Sequence, residues 1–286
     1  MNFDFNKIAV IGSGTMGSGI AVVLAKAGIY VNLNDIEEDL LYEGMSRINK
    51  FLEGSISRGK MTKDEADTIK SRIIPSKSLA EATRDIQLVI EAIIEESEAK
   101  RDLFMKLDEI CKKDVIFASN TSAINITELA SATKREEQFL GLHFFNPPVL
   151  MKLVEVIRGE KTDDVTFNRI LSLCQRIEKT PVPSNESPGF IVNKLLWVFV
   201  NESFKLVEGS IAKKEDIDAA VKLGLNHPMG PFELSDYIGL DIMLDIGNYI
   251  SKQQGEMYKP SSLLVKKVEE GKLGRKTGEG FYLYTS

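Results

Sequence analysis

Histidine is the side chain best suited to moving a proton at neutral pH. This 286-residue chain holds two, His143 and His227. His143 stands in GLHFFNPP, near the end of an apolar run of strand type at 139–145. Ligands bind at the carboxyl edge of an open α/β sheet, so an imidazole there is a candidate general acid–base. The Asn146-Pro147-Pro148 turn stops the strand and stiffens the loop. A packed core histidine bonded to backbone accounts for the position equally well. Glu155 bears on that choice, because it lies in KLVEVIR between Val154 and Val156. A carboxylate among branched apolar residues is costly to bury without a partner. An imidazole is one such partner, and the carboxylate would hold its tautomer. The alternative is an outward-facing glutamate on an alternating edge strand, and spacing allows both. Ser122, after VIFASNT, and Asn193, one turn into a long apolar helix, carry uncharged donors. Such donors can hold a substrate oxygen as charge develops on it, though each is also a common cap or turn residue.

The residues that would bring a hydride to meet that proton open the chain. KIAVI at 7–11 is of strand type, GSGTMG follows at 12–17, and SGIAVVLAKA at 18–27 has a helical pattern closed by Gly28. A second apolar strand, IYVNLN, ends at Asp35. A G-x-G-x-x-G between strand and helix, with an acid at the tip of the next strand, is a dinucleotide-binding unit. Gly12 permits the tight turn, Gly14 lets the backbone approach a pyrophosphate, and Gly17 lets helix and strand pack closely. The loop Gly12, Ser13, Gly14, Thr15, Met16 and Gly17 then presents free N–H groups to phosphates. Asp35 is placed for the ribose hydroxyls, and its charge would repel a 2′-phosphate. The next residues, Ile36, Glu37 and Glu38, offer no arginine to offset that repulsion. The cofactor expected is therefore NAD(H) rather than NADP(H). A ligand-free glycine turn is the bland alternative.

These residues need elements to hold them. Residues 36–70 are helical and charged, with Arg58, Lys60 and Lys63 near two glycines. A solvated helical hairpin explains them, and a grip on a phosphorylated ligand is the alternative. Strands are expected at 86–92, 115–119, 139–145 and 153–158, and helices at 96–111, 125–130 and 163–179. Such alternation predicts a Rossmann-type, doubly wound, mostly parallel sheet. Near residue 184 the pattern changes at SNESP. Helices are expected at 189–209, 213–223, 231–253 and 260–270, with no strand-like stretch until FYLY. The division is an α/β NAD-binding domain at 1–184 and an all-helical substrate and dimerisation domain at 185–286. The 189–209 helix is apolar on several sides, which suggests a homodimer. Its polar positions form no basic face, against a membrane-lying helix.

Composition sets outer limits. With 43% hydrophobic and 27% charged residues, the chain suits a soluble globular protein. A net charge of −6 without a basic tail argues against general nucleic-acid binding. Two cysteines, Cys111 and Cys174, lie in unrelated segments with no zinc-ligand spacing, so no metal is expected and a reduced, cytoplasmic setting is. No stretch approaches transmembrane length, MNFDFNKIAV is no secretory signal, and YLYTS is no peroxisomal address.

ASNTSAI, GLHFFNPP-x-x-MKLVEVI, PGFIVNKLL and LGRKTGEGFY, together with GSGTMGSGIA, resemble the short-chain L-3-hydroxyacyl-CoA dehydrogenase family along essentially the whole chain. The resemblance is strongest to its bacterial 3-hydroxybutyryl-CoA dehydrogenase group. It implies that His143 is the acid–base paired with Glu155, and that Ser122 and Asn193 orient the substrate's C3 oxygen. It implies further that Glu95, Lys100, Ser122, Asn146 and Lys276 contact the cofactor or line its cleft. The substrate implied is an acyl-CoA, and the assembly a homodimer through the helical domain. The CoA-binding region matches less well. Arg58 falls where a lysine is expected, with Lys50 and Lys60 nearby, and Phe51 replaces a serine. Rival readings are a same-fold dehydrogenase of a free hydroxy acid or sugar acid, a member of the 6-phosphogluconate and β-hydroxyacid group, and a non-catalytic NAD-binding dimer.

Overall fold

The computed structural model describes residues 5–284. The readings of the extreme ends, no leader and no peroxisomal address, rest partly on residues 1–4 and 285–286, which lie outside the described residues. The chain forms two compact units, Met1–Glu186 and Ser187–Ser286.

The first unit alternates strand and helix. Its elements are β1 (Lys7–Ile11), α1 (Thr15–Lys26), β2 (Tyr30–Asn34), α2 (Glu38–Ser57), α3 (Lys63–Ser71), β3 (Ile73–Ser76) and α4 (Leu79–Ala82). There follow β4 (Leu88–Glu91), α5 (Ser97–Ile110), β5 (Ile116–Ser119), α6 (Ile126–Ala130), β6 (Phe139–Phe144), β7 (Leu153–Arg158), α7 (Asp164–Arg176) and β8 (Thr180–Asn185). Among the described residues eight strands make one sheet in the order β3-β2-β1-β4-β5-β6-β7-β8. Every neighbour pair is parallel except β6 with β7. Central strands such as IFAS and LVIE are buried along their whole length. That is why they read as continuous apolar runs rather than alternating ones. The doubly wound, mostly parallel sheet followed by a helical unit is the architecture the alternation predicted.

Two strands were not expected, and both carry proline. β3 reads IIPS and β8 reads TPVPSN. Proline argues against a central strand but is tolerated at an edge, where its missing N–H faces away from the ladder. β3 and β8 are the two edges of the sheet. Pro75, Pro181 and Pro183 there also discourage pairing with another sheet. Because β8 runs through Asn185, the first unit ends at 186 rather than 184.

The second unit holds α8 (Val192–Glu208), α9 (Lys214–Gly224), α10 (Pro231–Ile238), α11 (Leu240–Gln254) and α12 (Ser262–Glu269). The single helix expected over 231–253 is two, broken at Gly239, whose φ of 112° no helix accommodates. FYLY forms no strand; it contributes one isolated bridge, at Leu283. Trp197, Val200 and Phe204 repeat at helical spacing on α8 and are buried with Phe232 and Phe281. On the same helix Leu195 and Val198 are 66% and 46% exposed. Among the described residues no helix is long and apolar enough to cross a membrane.

Candidate active site

The glycine loop joins β1 to α1 at the point where β2 and β4 depart on opposite sides of β1, the switch point at which open α/β sheets bind ligands. A cavity of about 820 Å³ opens there. Gly12, Ser13, Gly14, Thr15 and Met16 line it from the loop, Asp35 from the end of β2, and Ala92 and Ile93 from the end of β4. The three motif glycines are needed for different reasons. A Cβ on Gly12 would meet the Ala92 carbonyl at 2.4 Å, and one on Gly17 the Gly12 carbonyl at 1.8 Å. A Cβ on Gly14 would meet no protein atom within 4 Å. Packing therefore explains Gly12 and Gly17, whereas Gly14 leaves open space beside the backbone that suits a closely approaching ligand. Gly14 also caps α1 with no side-chain acceptor, and the first turn holds no acid. An uncapped helix N-terminus on an open cavity suits a pyrophosphate, so the residues present fit a dinucleotide.

Asp35 does more than border the cavity. Its Oδ2 accepts from the backbone N–H and the hydroxyl of Ser13 at 2.7 and 2.8 Å, and its Oδ1 accepts from the Ile36 N–H at 2.8 Å. The acid at the tip of β2 thus also clasps the glycine loop.

His143 and Glu155 are directly opposed across the antiparallel pair β6–β7, so their side chains share a face. Nδ1 of His143 lies 2.7 Å from Oε2 of Glu155, and both residues are buried. The outward-facing edge glutamate is ruled out because Glu155 is fully buried with its carboxylate against His143, and β7 is not an edge, since β8 pairs along its other side. Two further side chains hold the ends of these strands. Asn120, just beyond β5, accepts the Phe144 N–H at 2.9 Å. The Lys179 ammonium donates to the Pro148 and Met151 carbonyls at 2.6 and 2.7 Å and ties down the β6–β7 loop. Burial pushes the pKa of Lys179 down.

Glu95 and Lys100 belong to a network that the sequence reading did not anticipate. Lys100, almost fully buried, stands 2.5 Å from Glu91 and 3.2 Å from Glu95. Glu91 also accepts from the Ser119 hydroxyl at 2.6 Å and the Ile93 N–H at 2.8 Å. Burial pushes the Glu91 carboxyl up, against the pull of Lys100 and Ser119. Oε1 of Glu95 accepts the Thr121 hydroxyl at 2.6 Å and the Ser122 N–H at 2.7 Å. A chain of charge-assisted contacts therefore runs from the end of β4 to the backbone of Ser122. The available signal was Glu91 itself, an acid inside the apolar run LVIEA, the same pattern that drew notice to Glu155.

The remaining candidates are scattered. Asn146 is exposed just beyond β6 and is joined to Pro147 by a cis bond. Lys50, Arg58 and Lys60 are exposed on α2 and the turn after it, and none borders the cavity. Phe51 packs on the core of the first unit. In the second unit Asn193 is the second residue of α8, and Lys276 holds both carboxylate oxygens of Asp241 at 2.5 Å.

Dinucleotide-dependent oxidoreductases are a class of protein built on such a loop at such a switch point. Comparison with known proteins narrows the class. The family model described as 3-hydroxyacyl-CoA dehydrogenase, NAD binding domain, matches residues 7–187, and the C-terminal domain model of the same family matches residues 189–284. The 3-hydroxybutyryl-CoA dehydrogenase of Clostridioides difficile is 45% identical over 97% of this chain and 99% of its own. That of Bradyrhizobium diazoefficiens is 45% identical over 97% of this chain and 95% of its own. The crystal structure of (S)-3-hydroxybutyryl-CoA dehydrogenase from Ralstonia eutropha superposes with a TM-score of 0.95 at 38% identity, covering 99% of this chain and all of that one. The chain belongs to the 3-hydroxyacyl-CoA dehydrogenase family. Its first unit is the NAD-binding domain, and NAD(H) is the cofactor.

Proposed function

We propose that the protein interconverts (S)-3-hydroxybutyryl-CoA and acetoacetyl-CoA, with His143 as general acid–base and Glu155 as its partner. Bound NAD(H) supplies or takes up the hydride exchanged with C3. In oxidation, His143 takes the C3 hydroxyl proton through Nε2, since Nδ1 faces Glu155. In reduction, protonated His143 returns that proton to the C3 oxygen. Glu155 stabilises the imidazolium in both directions and holds the tautomer. Ser122 donates to the C3 oxygen, and the Glu91–Lys100–Glu95 chain fixes the Ser122 backbone. Lys50, Arg58 and Lys60 are exposed cations suited to the phosphates of CoA.

The observation that carries this reading is the buried 2.7 Å contact of His143 with Glu155 on the sheet that also bears the glycine loop. The test is NADH consumption with acetoacetyl-CoA beside free acetoacetate and free sugar acids. The thioester is expected to be turned over far faster than any free acid. Equal rates would return the assignment to a free-acid dehydrogenase, and NADH binding with no turnover of any thioester would make the chain a binding protein.

The exposed Leu195 and Val198 on α8 support a homodimer through the second unit. Light scattering should give twice the 31.9 kDa chain mass, and Leu195→Glu should lower it toward one chain. A wild-type monomer would remove the assembly.

A further inference from the structure

Lys179 is a buried ammonium to which the proposed chemistry gives no task. Only 8% of it is exposed. Burial pushes its pKa down, helped by Lys152 and Lys26 and opposed by Glu178. Its hydrogen bonds go to carbonyl oxygens, Pro148 at 2.6 Å and Met151 at 2.7 Å, rather than to a carboxylate. A charge is costly to bury on such terms, and methionine would fill the space without that cost. What the ammonium adds is direction.

Both ends of this contact are fixed. On one side, Lys179 stands between α7 and β8. Its N–H donates to the Cys174 carbonyl at 2.9 Å, and the Thr180 N–H donates to the Lys152 carbonyl at 2.8 Å. On the other side, the loop between β6 and β7 folds into a turn. There the Leu150 and Met151 N–H groups both donate to the Pro147 carbonyl at 3.0 Å. The two carbonyls that Lys179 grips belong to this turn. The turn in turn leans on α1. A Cβ on Gly19 would stand 2.9 Å from Cδ of Pro148, so Pro148 lies directly on the helix that begins at the glycine loop. The same loop joins the strand of His143 to the strand of Glu155. The proton-transfer pair and the dinucleotide helix therefore meet through Pro148, and Lys179 is the group that holds Pro148 there.

We propose that Lys179 is a positioning residue for the hydride step. It seats Pro148 on Gly19 and so fixes the His143–Glu155 strand pair at its working distance from α1. The inference rests on the acid–base role proposed for His143. A misplacement of about 1 Å between reacting groups costs about 10²-fold in rate, so a clamp remote from the imidazole can set turnover without touching substrate.

The experiment compares Lys179→Met, Lys179→Arg and Gly19→Ala with wild type, well below the melting temperature of each. It measures NADH binding, acetoacetyl-CoA turnover and amide exchange of residues 147–151. In Lys179→Met the Leu150 and Met151 amides should exchange faster. Turnover per NADH-binding chain should fall about 10- to 100-fold, while NADH affinity and the KM for acetoacetyl-CoA stay at the wild-type level. The primary isotope effect from NADH deuterated at C4 should rise, because hydride transfer becomes slower relative to the other steps. Lys179→Arg should recover part of the turnover, since it keeps a cation able to bridge two carbonyls. Gly19→Ala should give the same loss and the same rise in isotope effect with the ammonium intact, and it serves where Lys179→Met fails to fold. Wild-type turnover and isotope effect in either Lys179→Met or Gly19→Ala would overturn the proposal and leave Lys179 a structural tie. Unchanged exchange in Lys179→Met would also overturn it, because the ammonium would not be holding the loop. A wild-type chain that turns over no thioester would overturn the functional reading and the positioning role with it, while the exchange measurement would still report whether the clamp exists.

Discussion

His143→Gln lowers the turnover of acetoacetyl-CoA by about 10²–10⁴-fold, the range a positioned general acid–base contributes, while NADH still binds. The imidazole lies between β6 and β7, and the dinucleotide cavity is built around β1, β2 and β4. Loss of the ring therefore leaves the cofactor's contacts in place. Glutamine fills a similar volume and keeps a hydrogen-bonding group near Glu155, but it cannot shuttle a proton. Stopped-flow turnover and NADH fluorescence on the same preparation separate the two effects. Near-wild-type turnover would remove His143 from the chemistry. Glu155→Gln should reduce turnover too, because an amide can donate to Nδ1 and select the wrong tautomer. Turnover unaffected by that change would confine the pair to a structural role.

Gly14→Val weakens NADH binding by at least about a hundredfold while stability falls by no more than about 1 kcal/mol, the cost of valine at an N-cap that glycine fills well. The two halves of this expectation have separate causes. Gly14 has φ −61°, which any L-residue adopts, and a side chain there meets no protein atom. It projects into the space where a pyrophosphate would approach the N-terminus of α1, so the loss falls on the ligand. Gly17→Ala is the contrast. Its Cβ would stand 1.8 Å from the Gly12 carbonyl, so the loop must move and stability falls by about 1–3 kcal/mol. A Gly14→Val protein that binds NADH normally would show that the phosphates lie elsewhere.

The elements that were easy to read in the sequence are those whose signal is local. The glycine loop, its strand and helix, and Asp35 fall within one short stretch, and turn chemistry ties each glycine to its place. The buried strands declared themselves as apolar runs. Local rules failed where a segment's role depends on what lies beside it. TPVPSN reads as a loop by its prolines and becomes a strand because only one of its edges is used. The break at Gly239 lay hidden in a periodicity that continues in α11. Glu155 could face out or in until the β6–β7 register set it opposite His143. Glu91, Glu95 and Lys100 of one stretch are drawn together with Ser122 of another, and no spacing rule links the two.

By itself, then, the sequence determined the doubly wound class, the dinucleotide loop, the acid at the tip of β2 and the short list of side chains able to carry a proton. Each of these depends on residue type and near-neighbour spacing. The tertiary structure decided that His143 and Glu155 share a face and that a buried ionic chain braces the Ser122 backbone. Strand register and the packing of β4, α5 and the segment after β5 set those distances, and contacts between remote segments leave no period in the chain to be read.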